Sequence, residues 1–262
     1  MQVNRPEFRV IFWNVWSECQ LTGRIDALCN RLGRLIDEYQ PDVFGLNEVV
    51  VNRTTGASAI LAFLASQGYE THFTAQGPEV PGFVIGCALA SRRTPSRIGE
   101  PVLGPDNGAA RRGFDGYTIR AIDADIPVEG GEDVRVIVNH WAHLIPQNWW
   151  AHWQHARGLS RHLEANPGPS RVVIGGDFNE LKSMPAIRSL SRSYNRATGT
   201  FRQPTWRWAG QRRRLLRANY DNVLWSRDGL NLHAFSVLPS MPSDHAPLLA
   251  HFRLPLLTRG KV

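Results

Sequence analysis

The chain has 262 residues, 42% of them hydrophobic, enough for a sizeable core in one large or two modest domains. No apolar run reaches bilayer-spanning length, and the opening MQVNRPEFRVIFWNVW lacks the parts of a signal peptide, so a cytoplasmic location is expected. The net charge of +7 points to a polyanionic partner, either nucleic acid or an anionic membrane surface.

FRVIFWN, residues 8 to 14, is a β-branched and aromatic run closed by an amide, and it predicts a buried strand. After Thr22, a suitable N-cap, the residues Ile25, Leu28, Cys29, Leu32, Leu35, Ile36 and Tyr39 recur at helical spacing until Pro41 stops them. A second strand, DVFGLNE (42 to 48), follows, then a shorter helix from Ser58 to Ser66 that closes at Gly68. FVIGCALAS (83 to 91), YTIRAIDADI (117 to 126) and DVRVIVNH (133 to 140) predict further strands between Gly- and Pro-rich turns. Pro146 opens a helix whose core face is expected to carry Trp149, Trp153, Ala156, Leu159 and Leu163, with Trp150 pointing elsewhere. The strand in RVVIGGDFNE (171 to 180) comes next, then a short helix at MPAIRSL and a basic loop, WRWAGQRRRLLR (206 to 217). YDNVLWS (220 to 226) and APLLAHFRL (246 to 254) are the last predicted strands. Helices and strands interleave, yet several strands follow one another directly, so a mixed sheet system covered by helices is expected, in one domain over 1–262.

Polar residues fall at the ends of these strands. Asn14, Glu48 and His140 each close one, Asp177 and Asn179 close another, Asp221 opens the next, and Asp244-His245 precede the last. In layered α/β proteins, ligands bind at strand ends, where loops converge over a rigid scaffold. The acids Glu48, Asp177 and Asp244, with two amides, two histidines and no thiolate, form a hard donor set suited to Mg²⁺ or Mn²⁺. Such a set serves the attack of water on a phosphate ester: the metal neutralises developing charge, a carboxylate takes the water proton and a histidine contacts the phosphate.

FWNVW, GLNEV, VNHW, GGDFNE, YDNVLWS and SDHAPLLAHF, in this order, resemble the signature of the endonuclease/exonuclease/phosphatase superfamily, over about residues 8 to 252. The resemblance implies a four-layer α/β sandwich, two packed mixed β-sheets flanked by helices, and a Mg²⁺-dependent phosphodiesterase or phosphatase. It also implies roles for the matching positions. Glu48 would be the principal metal ligand, with Asn14 beside it and Asp244 as a second acid near metal or water. Asp177 would orient or deprotonate the attacking water and Asn179 would help position it. His245 would contact the scissile phosphate, kept protonated by Asp221. Two departures stand out: Asn222 follows Asp221 where the family often has an aromatic, and VNHWAHL offers both His140 and His143 as the middle histidine. His140 is preferred because it directly ends its strand.

The substrate reading rests on the segment around residues 204 to 221. Exonuclease III-like members carry a threonine-tryptophan segment on a loop against DNA, and PTWRW looks similar. Trp206, Arg207, Trp208, Arg212, Arg213 and Arg214 combine phosphate contacts with stacking surfaces, which favours DNA, cut hydrolytically. A sphingomyelinase-like lipid phosphodiesterase, with exposed tryptophan at a membrane interface, is the alternative; an inositol-phosphate phosphatase and a catalytically silent binding module rank lower. No protein partner is evident. The paired histidines His140, His143, His152 and His155 have zinc-like spacing, but nothing in the pattern orients the two pairs toward each other. Cys19, Cys29 and Cys87 have no metal-ligand spacing and are expected as reduced, buried thiols.

Overall fold

The computed structural model describes residues 6–76, 81–105, 118–129, 131–143, 149–181, 183–200, 202–209 and 215–255. A six-stranded sheet has the order β14 (Asn231–Val237), β15 (Leu248–Arg253), β1 (Glu7–Asn14), β2 (Val43–Asn52), β4 (Phe83–Ser91), β3 (Glu70–Ala75). The second sheet has the order β10 (Tyr194–Thr198), β13 (Asp221–Ser226), β9 (Arg171–Asp177), β8 (Val134–His140), β7 (Thr118–Ile126), β5 (Arg97–Gly99), with β6 (Val102–Pro105) also on β7. Each sheet has one parallel pair among the described residues, β1 with β2 and β8 with β9, and is otherwise antiparallel.

The two-residue period of β1 shows why the sheets stack. Phe8, Val10 and Phe12 point into the layer between the sheets, packed with Val136, Val138, Val173 and Val223. Ile11 and Trp13 point outward, under helices α1 (Ser17–Leu21), α2 (Ile25–Tyr39) and α3 (Ala59–Ser66). In β9 the alternation repeats: Val173 faces in, while Val172 and Ile174 face the helices α4 (Trp149–Ala165) and α5 (Pro185–Leu190). The result is four layers, helix, sheet, sheet, helix, as the family resemblance implied.

The two glycines of RVVIGGDFNE have separate reasons. A Cβ on Gly175 would overlap the Phe12 ring reaching across from the other sheet. Gly176 has φ of 127°, and a Cβ there would meet the Asn139 carbonyl.

Several local expectations change. Thr22 ends α1 instead of capping α2, whose N-cap is Arg24. Strand β2 does not stop at Glu48 but continues to Asn52 through a bulge between Leu46 and Val49. Trp149 is 54% exposed; the core face of α4 is filled by Ala151, His152, His155, Ala156 and Leu159. The segment read as a basic loop contains a hairpin, β11 (Trp206–Ala209) with β12 (Leu215–Ala218). Cys19 and Cys87 are buried, Cys29 only half-buried. The sheet-edge strands β14, β3, β10 and β5 were not predicted, because edges borrow order from a neighbour's backbone and need no apolar run of their own.

Gly175→Ala should overpack the inter-sheet layer at Phe12 and destabilise the fold by about 1–3 kcal/mol. Urea unfolding checks this, and an unchanged midpoint would contradict the steric account.

Candidate active site

Sheet register assembles the site before any side chain is considered. The Cα of Asp177 pairs with that of His140 on one side and that of Asp221 on the other, so three adjacent strands present one residue each in a row. In the facing sheet, Asn14 pairs with Asn47 at the ends of β1 and the first half of β2. The row and the amide pair meet through hydrogen bonds to Asp177 between the sheets, with Glu48 joined from the side of the amides. Asn14 Nδ2 donates to Glu48 Oε1 (3.0 Å) and Asp177 Oδ2 (3.1 Å), and the Asp177 backbone N–H donates to Asn47 Oδ1 (2.9 Å).

Glu48 enters the site because the bulge gives it φ of 58°, swinging its carboxylate out of the β2 alternation. Its Oε2 accepts from the Ser17 backbone N–H (3.0 Å) and hydroxyl (2.8 Å). Burial pushes this carboxyl up, but His140, the Ser17 N–H and Asn14 outweigh it and hold it down at about 2. Trp16 (φ 56°) and Asn179 (φ 48°) also have left-handed backbone beside the site. Apart from the helix C-cap Gln40, these are the described non-glycine residues with positive φ, a strain of about 1–3 kcal/mol each that clusters where function is held.

Asp221 Oδ2 lies 2.9 Å from His245 Nδ1, and His245 Nε2 faces Asp177 Oδ2 at 3.6 Å. Burial disfavours the His245 cation, but Asp221 and Asp177 overcome it and raise its pKa, while burial pushes Asp221 upward against the pull of His245. The pair titrates as a unit, with the proton kept on the imidazole side at neutral pH. At the same strand end the Asp221 backbone N–H donates to Thr205 Oγ1 (3.1 Å). His140 is shifted the other way: burial dominates, lowering its pKa despite Asp177 and Glu48, and its Nε2 sits 3.9 Å from Asp177 Oδ2. His143 is exposed, its ring 6.2 Å from that of His140.

Asn179 donates from Nδ2 to the Trp141 carbonyl (2.9 Å), and its backbone N–H donates to Asp177 Oδ1 (2.7 Å). Asp244 accepts from Trp206 Nε1 at 2.9 Å, and Trp206 also bridges His245 through the backbone, so β11 lies against the site. Arg207 is exposed on the same strand. Only the backbone of Trp208 is described, and Arg212, Arg213 and Arg214 lie outside the described residues. The zinc-like histidines do not form a cluster: His152 donates to the Ala142 carbonyl (2.7 Å) and His155 to that of Pro105 (2.9 Å), beneath Trp141.

A family model described as the endonuclease/exonuclease/phosphatase family matches residues 11–245. The chain belongs to this family. No curated protein sequence matches it. Among solved structures it is similar in fold to the human Nocturnin catalytic domain with bound sulfate, at 20% identity and a TM-score of 0.71, covering 95% of this chain and 94% of that one. ANGEL2, described as a 2′,3′-cyclic phosphatase, is similar at 15% identity and a TM-score of 0.73, covering 96% of each chain. A family member from Beutenbergia cavernae DSM 12333 is similar at 20% identity and a TM-score of 0.68, covering 95% of this chain and 72% of that one.

The donor chemistry of this family member fits a hard divalent cation. Asp244 Oδ1 is buried without a hydrogen-bond partner among the described residues, and burial, with Glu48 and Asp177 nearby, raises the Asp244 pKa. A cation would relieve that crowding of carboxylates. Cys87, behind Asn47, offers no soft ligand, since burial pushes its thiol up to about 12. Asp177, Asp221 and His245 also bring one ligand atom each within 4.8 Å of one another. A protonated imidazole, the form that the raised His245 pKa favours, has no lone pair to give to a cation.

The residues that sequence reasoning missed are supports: Ser17 under Glu48, Asn47 under Asp177, and Ser243, whose hydroxyl donates to the Asn14 carbonyl (2.7 Å) and accepts from the His245 N–H (3.1 Å). Asn47 and Ser243 are visible only as immediate neighbours of Glu48 and Asp244.

A raised folded-state pKa stabilises most below the ordinary histidine value of about 6.5, and that contribution fades as pH rises through the folded value. In EDTA, the His245 ring should therefore titrate above neutral by NMR, and Asp221→Asn should move it downward. A wild-type titration at or below the ordinary value would refute the pairing.

Proposed function

We propose that the protein is a Mg²⁺-dependent phosphodiester hydrolase that cuts nucleic acid, DNA foremost, from a single domain over 1–262, with Mn²⁺ able to replace Mg²⁺. The observation that carries the substrate reading is the contact of β11 with the site: Trp206 bonds Asp244 and bridges His245, so exposed Arg207 stands at the rim. A tryptophan and arginine surface beside the catalytic acids suits a phosphate backbone with stacked bases or sugars. ANGEL2, similar in fold, is also described in complex with adenosine-2′,3′-vanadate, a nucleoside carrying a phosphate mimic, which supports a nucleic-acid substrate over a lipid. No helix among the described residues is long and apolar enough to cross a membrane.

In this reading Glu48, Asp244 and Asn14 hold the cation, which supplies positive charge to phosphoryl and leaving-group oxygens when bound. Asp177 accepts the proton of the attacking water, with Asn179 fixed against it by the Asp177 Oδ1 bond. His245, protonated through Asp221, donates from Nε2 to a phosphate oxygen. His140, driven toward the neutral form by burial, contacts phosphate as an uncharged hydrogen-bond group. The opposed shifts of the two histidines are what this division of roles requires.

Nicking of supercoiled plasmid at low salt should need Mg²⁺, stop in EDTA, and fall by about 10²–10⁴-fold in Asp177→Asn and in His245→Ala. A wild-type protein inert on plasmid but active on phosphocholine diesters would replace this reading with the lipid phosphodiesterase. Function that survives Asp177→Asn unchanged would mark a binding module.

A further inference from the structure

The catalytic rim leaves one Trp/Arg surface unused, on the outer face of α4. Trp150, Gln154, Arg157 and Arg161 occur at spacings of four, three and four residues, so they form one stripe along the helix. Trp150 is 70% exposed, an unusual state for so large an apolar ring, and Arg157 and Arg161 are exposed without an ion pair among the described residues. The stripe forms one wall of a groove of about 670 Å³, whose other wall is β6. The groove is built into the fold: Gly158 lets the Leu103 backbone of β6 pack directly on the helix, since a Cβ there would overlap the Leu103 carbonyl. At the far end His162 is tied inward to buried Asp123 at 2.7 Å, which leaves the two arginines as the groove's free charges. No carboxylate is among its described lining residues.

The stripe begins near the active site. His152, in the first turns of α4, donates to the Ala142 carbonyl at 2.7 Å, two residues beyond His140. From Trp150 to Arg161 a helix rises about 16 Å, long enough to face several nucleotides of one strand.

We propose that this groove is a second nucleic-acid subsite, which holds an unpaired strand with a base stacked on Trp150 and its phosphates on Arg157 and Arg161. Single-stranded nucleic acid is the occupant that fits, because an exposed indole offers a stacking face to an unpaired base and the uncompensated arginines offer charge to a polyanion. The subsite extends the nucleic-acid reading above and lies outside its catalytic residues, so the two are tested separately.

The experiment measures fluorescence anisotropy of labelled oligothymidylates in EDTA, where no strand is cut, with wild type and the Trp150→Ala/Arg157→Ala/Arg161→Ala variant. For a strand of about 20 nucleotides the variant should bind about tenfold or more weakly, and the slope of log affinity against log salt should shrink by about 1.4 for two lost phosphate contacts. Hydrolysis of bis-p-nitrophenyl phosphate, too small to reach the groove, and the circular-dichroism melt should both be unchanged. Equal affinity and slope for the two proteins would overturn the proposal. So would a variant that keeps its oligonucleotide affinity but loses binding to phosphatidylserine vesicles, which would make the face a membrane contact. If wild type fails to nick plasmid while the variant still loses strand binding, the subsite stands and the nuclease reading falls.

Discussion

The site depends on satisfying the carboxylate of Asp177 where almost no water reaches it, at 1% exposure. A buried polar group without partners is costly, so every neighbour of Asp177 is a constraint on the fold. Asn14 and Asn47 come from one sheet, His140 and Asp221 from the strands on either side, and His245 from the turn before β15. Satisfying this one group ties the ends of the two sheets together. The Phe12 ring wedged against Gly175 does the same from the apolar side, a few residues below.

From that constraint the electrostatics of the site follow. Two histidines flank the same carboxylate, yet burial lowers one while an aspartate raises the other. Glu48 stays ionised because three separate groups offset its burial. Asp244 is left with an oxygen that has no hydrogen-bond partner among the described residues, which suits the cation of the proposed reading. The left-handed backbone at Trp16, Glu48 and Asn179 is tolerated because packing and hydrogen bonds on all sides determine their positions.

Around this rigid centre the surfaces have a different character. Strand β11 reaches the site from the β13 and β15 side, and α4 leaves it from the end of β8. Both carry tryptophan with arginine, the combination that binds a strand by charge and stacking without demanding a sequence. In the proposed reading the core supplies the chemistry and these two margins hold the substrate.

Much of the site was legible in the sequence because its residues sit at the tips of strongly apolar strands: Asp177 after RVVIGG and His140 after VRVIVN stand out by contrast with what precedes them. The inter-sheet strands and α2 were legible because period-2 and period-3.6 burial is written locally, while the four-layer plan came from the family resemblance. The sheet edges were not, because β14 and β10 are held by a neighbour's backbone. Trp149 was misassigned because helical spacing says which residues share a face but not which face meets the sheet. The bulge that turns Glu48 inward, the Asn47 and Ser17 supports, and the opposite shifts of two chemically identical histidines appear only when distant segments pack. They are set by distances between residues far apart in the chain, and local pattern carries no record of those distances.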